Sequence, residues 1–137
     1  MNLTSILPEY IDTFWPMAAE LLEPAVEMSG GRYDIESVEY LVKNGFNQLW
    51  VMYDDDDKIR IAFTTAIENY PRRRMLAITF LGGDDFVNNI GIVDDTLSEW
   101  AIAHGCDGAE IMGRKGWERA LSPFGFKASY VTVEKEF

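Results

Sequence analysis

The sequence from Met75 to Gly105 reads MLAITFLGG, then DDFVNNIG, then IVDDTLSEWAIAHG, and this stretch decides the fold that we expect. Apolar residues first alternate with their neighbours and then recur at spacings of three and four. Alternation is typical of a strand, whereas the longer spacing places side chains on one face of a helix. Gly105 ends the helical pattern. We therefore predict a central strand over 75–81 followed by an amphipathic helix.

The two glycines between the strand and the helix, Gly82 and Gly83, allow two interpretations. A strand that leads through glycines into a helix N-terminus presents free backbone N–H groups, which bind anions. The glycines would then let a ligand approach the backbone closely. Alternatively, they only bend the chain out of the strand, and Asp84 or Asp85 caps the helix.

Composition limits the class of protein. At 137 residues and 47% hydrophobic residues, the chain is expected to fold as one domain, 1–137. It has no apolar run of membrane-spanning length and does not open on a signal-peptide pattern, so we expect a soluble, cytoplasmic protein. The formal net charge of −11 disfavours binding to nucleic-acid phosphates. The single cysteine, Cys106, excludes an intrachain disulfide.

The other predicted elements lie before and after the central strand in the sequence. Helix is expected over 2–29, interrupted at Pro16 and Pro24, and again from an Asp34 cap to Gly45. A further short helix is expected over 115–121. The predicted strands cover residues 48–53, 59–69, 75–81, 109–112 and 126–134. This order, ααβββαβαβ, indicates an α+β fold with a mixed sheet, in which strands 75–81 and 109–112 are parallel.

The element order, the sequence GRKGWER at 113–119 and the pair Gly125-Phe126 resemble the GNAT acyltransferase superfamily over roughly residues 9 to 135. The small acetyltransferase-like proteins of tailed phages share a similar GR-x-GW element before the last strand. The resemblance implies a GNAT-like α+β fold with a mixed central sheet flanked by helices. It also implies that strands 75–81 and 109–112 diverge just past Leu81, where acetyl-CoA or another acyl-CoA enters.

The same resemblance implies the residues of the site. The pantetheine arm of acyl-CoA would follow the edge of the central strand, and its pyrophosphate would lie on the next loop. The candidates for binding acyl-CoA are Phe80, Leu81, Gly82, Gly83, Phe86, Arg114 and Arg119. Tyr130 is the candidate proton donor, and Glu68 is the candidate that accepts a proton from the amine. The expected partner is a small-molecule or protein amine, and a homodimer is compatible with the sequence.

Three features of the sequence depart from the GNAT pattern. Leu121 stands where a tyrosine usually protonates the leaving thiolate, and leucine carries no such proton. Asp84 and Asp85 lie in the pyrophosphate loop, where each would repel a phosphate charge at ~5 Å by roughly 3 kcal/mol at an effective dielectric constant of ~20. Arg114 replaces an asparagine. Three functions stay open: an acyl-CoA-dependent N-acyltransferase with an eroded catalytic signature, a non-catalytic GNAT-fold binding or structural protein, for example from a phage, and a module that binds a nucleotide or another anion at the same helix N-terminus.

A basic cluster, Arg72 to Arg74, precedes the central strand. Eight residues of strand at ~3.3 Å each place it about 26 Å from Gly82. These arginines therefore cannot reach a pyrophosphate beside Gly82. They mark a separate partner surface, or they keep a hairpin tip soluble.

Overall fold

The computed structural model describes residues 1–113 and 116–137, and in these ranges it contains a five-stranded sheet with helices on both faces. The strands are β1 (Asn2–Ser5), β2 (Gln48–Tyr53), β3 (Ile59–Asn69), β4 (Arg74–Gly83) and β5 (Gly108–Ile111). The helices are α1 (Ile11–Glu27), α2 (Ile35–Lys43), α3 (Ile90–Ala103) and α4 (Gly116–Leu121). Short 3-10 turns lie at Pro8–Tyr10, Val87–Asn89 and Ser122–Phe124.

The sheet is mixed, as the sequence predicts. Strands β1 to β4 form an antiparallel meander in chain order. Strand β5 then pairs with β4 in parallel, from Met75 opposite Gly108 to Ile78 opposite Ile111. The predicted bounds of β2 and β3 are confirmed at both ends.

Each face of the sheet carries its own hydrophobic cluster. On one face, α3 and Leu121 of α4 pack on Trp50, Phe63, Leu76 and Ile78. On the other face, α1 and α2 pack on side chains of β2, β3 and β4, including Phe80. Burial on both faces explains why the central strand is apolar at every position from Met75 to Leu81 except Thr79.

Strand β4 contains one residue more than its partner β3. Thr64 pairs with Phe80 and Thr65 with Ile78, so Thr79 is the extra residue of a β-bulge. The bulge changes the face to which the following side chain points. Phe80 packs with α1 and α2, whereas Leu76 and Ile78 pack with α3. Strict alternation from Met75 would place all three side chains on one face, but that alternation holds only in a strand without a bulge.

The prediction of helix over 2–29 is wrong at its start. Residues Asn2–Ser5 form β1, which pairs antiparallel with β2, and α1 begins only at Ile11. A four-residue strand is too short to show a clear period in the sequence. Helix α1 then runs without interruption through Pro16 and Pro24, whose rings lie on its exposed side.

The predicted last strand over 126–134 is also wrong. This segment has no regular secondary structure and lies outside the sheet, and Tyr130, Val131 and Val133 are more than four-fifths exposed. An alternating pattern indicates an extended backbone, but a strand also needs a neighbouring edge for its hydrogen bonds. We call residues 126–134 the C-terminal segment.

The α2 cap is formed as predicted. Asp34 Oδ1 accepts a hydrogen bond from the Ser37 backbone N–H at 2.8 Å, and the Asp34 N–H donates to Ser37 Oγ at 3.0 Å. These reciprocal bonds satisfy two donors at the start of the helix. The hydrogen bonds to Ser37 also hold the pKa of Asp34 below its ordinary value.

The parallel register of β4 and β5 is fixed at its start by Arg74 and Asp107. The Arg74 N–H donates to the Asp107 carboxylate at 2.9 Å, and the Asp107 N–H donates to the Arg74 carbonyl at 2.7 Å. The Arg74 guanidinium also donates to the His104 carbonyl at 3.0 Å, at the end of α3. Of the basic cluster, Arg74 therefore belongs to the framework that aligns the two strands.

Glycine is required at position 82 because β4 passes directly against the backbone of α1. A Cβ atom placed on Gly82 would lie 1.8 Å from the Leu21 carbonyl oxygen. Gly83 has a positive φ of 125°, and a Cβ there would lie 2.2 Å from the Arg60 carbonyl oxygen. Both glycines therefore serve close packing inside the strand, and the expected bend out of the strand with an Asp84 or Asp85 cap is wrong, since both glycines pair with β3 and neither the Val87–Asn89 turn nor α3 has a side-chain cap.

We predict that Gly82→Ala destabilises the fold, because α1 and β4 would have to separate to admit the methyl group. The expected loss in the free energy of unfolding is about 2–3 kcal/mol, measured by chemical denaturation. Gly116→Ala is the matched control, since no described atom lies within 4 Å of a Cβ at Gly116. Equal stability of the two variants would contradict the close packing of β4 on α1.

Candidate functional site

The paired part of β4 and β5 is short, and β4 continues beyond it. Pairing ends where Ile78 faces Ile111, the last residue of β5, while β4 extends to Gly83. In the described part of the chain, the β5-facing edge of β4 after Ile78 has no strand partner. Strands β4 and β5 thus separate directly at the Thr79 bulge, which is earlier than the expected point past Leu81. We call this point of separation the fork. An unpaired strand edge offers backbone N–H and C=O groups to an extended ligand.

A groove of about 2400 Å³ lies over this part of the sheet. One wall is the end of α1 with the loop to α2, including Met28, Arg32 and Tyr33. The opposite wall is the C-terminal segment, and the floor comes from β4 and β5. A salt bridge of 2.8 Å between Arg32 and Glu134 joins the two walls.

A tyrosine–carboxylate pair lies in the groove, and it was not predicted. The Tyr70 hydroxyl donates a hydrogen bond of 2.6 Å to Glu110 Oε1. Tyr70 belongs to the turn between β3 and β4, and Glu110 lies on β5 opposite Ala77. Glu110 is the one charged residue in the strand sequence GAEI, and that isolated charge is the signal that could have identified it.

Both predicted catalytic residues line the same groove as this pair. Glu68 is exposed near the end of β3, and Tyr130 is exposed on the C-terminal segment. The hydrogen bond to Glu110, burial, and the nearby Glu110, Tyr130 and Glu68 raise the pKa of Tyr70 to about 12. The phenol of Tyr70 therefore stays protonated at neutral pH and remains a hydrogen-bond donor to Glu110. The catalytic roles of Glu68 and Tyr130 stay predictions.

The residues that are predicted to contact acyl-CoA do not all lie in the same environment. Phe80 is 8% exposed, and its ring meets the Tyr33 ring edge-on at 5.1 Å. Leu81 is half-buried and packs against the α3 cluster. Phe86 is buried in that cluster and meets Trp117 edge-on at 5.2 Å.

For the other residues predicted to contact acyl-CoA, the structure says less about a binding role. Gly82 and Gly83 belong to β4 and turn their free faces to the protein's own backbone. Arg119 is exposed on α4, whereas Arg114 lies outside the described residues. Phe80, Leu81, Gly82, Gly83 and Phe86 follow β4 from the fork towards the start of α3. The binding roles of the whole predicted set stay predictions.

Comparison with known proteins gives structural matches. No protein-family model and no curated protein sequence matches the chain. A tetramutant of the Bacillus halodurans protein BH1408 superposes with a TM-score of 0.69 at 18% identity, and the match covers 100% of both chains. A ribosomal-protein-alanine N-acetyltransferase from Brucella melitensis biovar Abortus matches with a TM-score of 0.67 at 13% identity, again over 100% of both chains.

A predicted acetyltransferase from Clostridium acetobutylicum, crystallised with acetyl-CoA, also matches with a TM-score of 0.67 at 13% identity. That match covers 98% of this chain and 95% of the other. The chain has the GNAT acetyltransferase fold. At these identities the matches establish the fold, and the chemistry must be argued from the residues of this chain.

Within this GNAT fold, the candidate site fits one part of an acyl-CoA and does not fit another. The unpaired edge of β4 at the fork suits the extended pantetheine arm. The loop after β4 does not suit the diphosphate, because the Asp84 N–H already donates to the Arg60 carbonyl at 3.2 Å. The Asp84 carboxylate is bound by the Arg60 guanidinium at 2.9 and 3.3 Å. The pantetheine end of acyl-CoA therefore fits the site, and the diphosphate end does not.

In the ranges 1–113 and 116–137, no group of three or more His, Cys, Asp or Glu side chains is arranged to hold a metal ion. None of the helices described here is both long and apolar enough to cross a membrane.

We predict that Tyr70 ionises later than an ordinary tyrosine, near pH 12. A raised pKa in the folded state means that the hydrogen bond stabilises the fold below about pH 10, the ordinary pKa of tyrosine. That stabilisation is lost as the pH rises from 10 towards 12. Subtracting the ultraviolet titration curve of the Tyr70→Phe variant from that of the wild type gives the ionisation of Tyr70 alone. Glu110→Gln should lower its pKa towards 10, and an unchanged pKa would contradict the pairing.

Proposed function

We propose that this chain is an acyl-CoA-dependent N-acyltransferase that transfers an acyl group to an amine. One observation carries the proposal: the β4–β5 fork opens at the Thr79 bulge, and the Tyr70–Glu110 pair lies in the groove over the same strands. The fork offers a place for an activated acyl group. The pair offers a proton acceptor beside it.

The donor side of the proposal rests on the edge of β4. Acyl-CoA supplies an acyl group activated as a thioester, and a structural neighbour from Clostridium acetobutylicum was crystallised with acetyl-CoA. Backbone N–H groups of β4 beyond Ile78 would hold the pantetheine arm and polarise the thioester carbonyl. Phe80 and Leu81 would line this part of the path, and Phe86 its end near α3. Arg114 and Arg119 remain candidates for the far end of the donor.

The acceptor side rests on Glu110. Its carboxylate would accept the proton of the incoming amine, and the hydrogen bond from Tyr70 would hold it in position. Glu68 is the second candidate for this role. Tyr130 is the candidate that protonates the leaving thiolate, since Leu121 cannot. The amine would enter between the loop after α1 and the C-terminal segment.

Activity is tested by mixing the protein with acetyl-CoA and a panel of primary amines and measuring thiol release. Glu110→Gln should lower kcat at least about 100-fold, the usual contribution of a general base. The dissociation constant of acetyl-CoA should stay within about twofold of the wild-type value, because Glu110 lies on the acceptor side. Glu99→Gln is the matched control, since Glu99 is an exposed carboxylate on α3.

Full activity in Glu110→Gln would overturn the role of Glu110 and direct attention to Glu68. The absence of binding heat with acetyl-CoA at millimolar concentration would overturn the acyltransferase proposal as a whole.

A second candidate is a non-catalytic binding or structural protein with the GNAT fold, for example from a phage. One observation favours it: Leu121, in the position of the usual catalytic tyrosine, is 5% exposed and belongs to the α3 cluster. A side chain used for packing there leaves the usual proton donor without a replacement on α4. Acetyl-CoA-dependent acylation of any amine that is lost in Glu110→Gln would exclude this candidate.

A further inference from the structure

The loop that should hold the diphosphate of the donor lines the groove, but its two glycines pack on the protein's own backbone and its two aspartates bring negative charge. We infer that the acyl donor is recognised through its acyl-pantetheine arm, and that the diphosphate gains no net affinity from residues Gly82–Phe86. This inference rests on the proposed function and narrows its donor class to acyl thioesters of pantetheine, with or without a nucleotide. It is argued from the space, the hydrogen bonds and the charges of the loop.

The space beside each glycine is occupied on the side where a Cβ atom would lie. The Leu21 carbonyl oxygen lies 1.8 Å from the position of a Gly82 Cβ, and the Arg60 carbonyl oxygen lies 2.2 Å from that of a Gly83 Cβ. A glycine helps a ligand approach only when its bare face is open to that ligand. Here both bare faces contact the protein backbone, so neither glycine forms a cradle for phosphate.

The start of the α3 region already holds a carboxylate. Asp85 has a left-handed backbone with φ of 62°, and its carbonyl accepts a hydrogen bond from Asn89 Nδ2 at 2.7 Å. Its carboxylate accepts a bond from Asn88 Nδ2 at 2.5 Å. These bonds hold the Asp85 charge before the helix, where a diphosphate would otherwise gain from the free N–H groups.

The nearby cation does not compensate for this charge. Arg60 is shared between Asp84, at 2.9 Å, and Asp54, at 3.4 Å. Its hydrogen bond and charge hold the pKa of Asp84 below the ordinary value, so Asp84 stays ionised. Within the described residues, Asp85 forms no salt bridge. A diphosphate placed here would therefore meet uncompensated negative charge.

The inference is tested by calorimetric titration of the full chain with acetyl-CoA and with acetyl-pantetheine, which lacks the nucleotide and its phosphates. In the wild type the two dissociation constants should agree within about threefold. Asp85→Asn should tighten acetyl-CoA binding roughly fivefold or more by removing one repelled charge, and should leave acetyl-pantetheine unchanged. Asparagine tolerates the left-handed backbone, so the loop should keep its shape.

Asp57→Asn is the matched control. Asp57 is an exposed aspartate in the β2–β3 turn with φ of 61°, so the substitution removes the same charge from the same backbone conformation. It should change both dissociation constants less than twofold. Thermal unfolding of each variant verifies that it is folded.

The possible results separate the inference from the proposed function. Acetyl-CoA binding more than tenfold tighter than acetyl-pantetheine binding would overturn the inference and leave the proposed function intact. An Asp85→Asn variant with unchanged acetyl-CoA affinity would also overturn it. Binding of neither ligand would overturn the proposed function itself, and the inference with it.

Discussion

One additional residue in β4, Thr79, controls the geometry on which the groove depends. Its hydroxyl donates to the Thr64 carbonyl at 3.2 Å and lies 2.6 Å from the Thr64 hydroxyl, which holds the bulge against β3. The bulge directs Phe80 towards α1 and Tyr33, and it coincides with the last pair between β4 and β5. Beyond the bulge, β4 separates from β5 but stays paired with β3 up to Gly83, and it passes against the backbone of α1 at Gly82.

Much of the framework followed from the sequence, because the elements concerned have long and regular patterns. Strands β2 and β3, the Asp34 cap and the parallel pairing of β5 were all predicted. The errors have physical reasons. In a strand that is apolar on both faces, a bulge cannot be recognised from the sequence pattern. Strand β1 is too short to show a period. The C-terminal segment has the pattern of a strand, but a pattern cannot show whether a partner edge is available.

The candidate site was less predictable than the fold. Tyr70 and Glu110 are 40 residues apart in the sequence, and only the turn before β4 and the register of β5 bring them together. Gly82 and Gly83 illustrate the opposite problem. A glycine pair between a strand and a helix serves ligand binding in some proteins and close packing in others, and only the position of Leu21 distinguishes the two. The role of Asp84 likewise depends on Arg60, which lies on a different strand.

The acidity of the chain has a consequence for the kinetics of any reaction in the groove. A net charge of −11 creates a long-range potential that draws cationic amines towards the protein and slows the approach of polyanions. Added electrolyte shortens the reach of that potential to about 10 Å at 0.1 M. Raising the ionic strength should therefore weaken the capture of a charged amine while easing the entry of a nucleotide-bearing thioester. The two substrates would then have opposite salt optima on one surface.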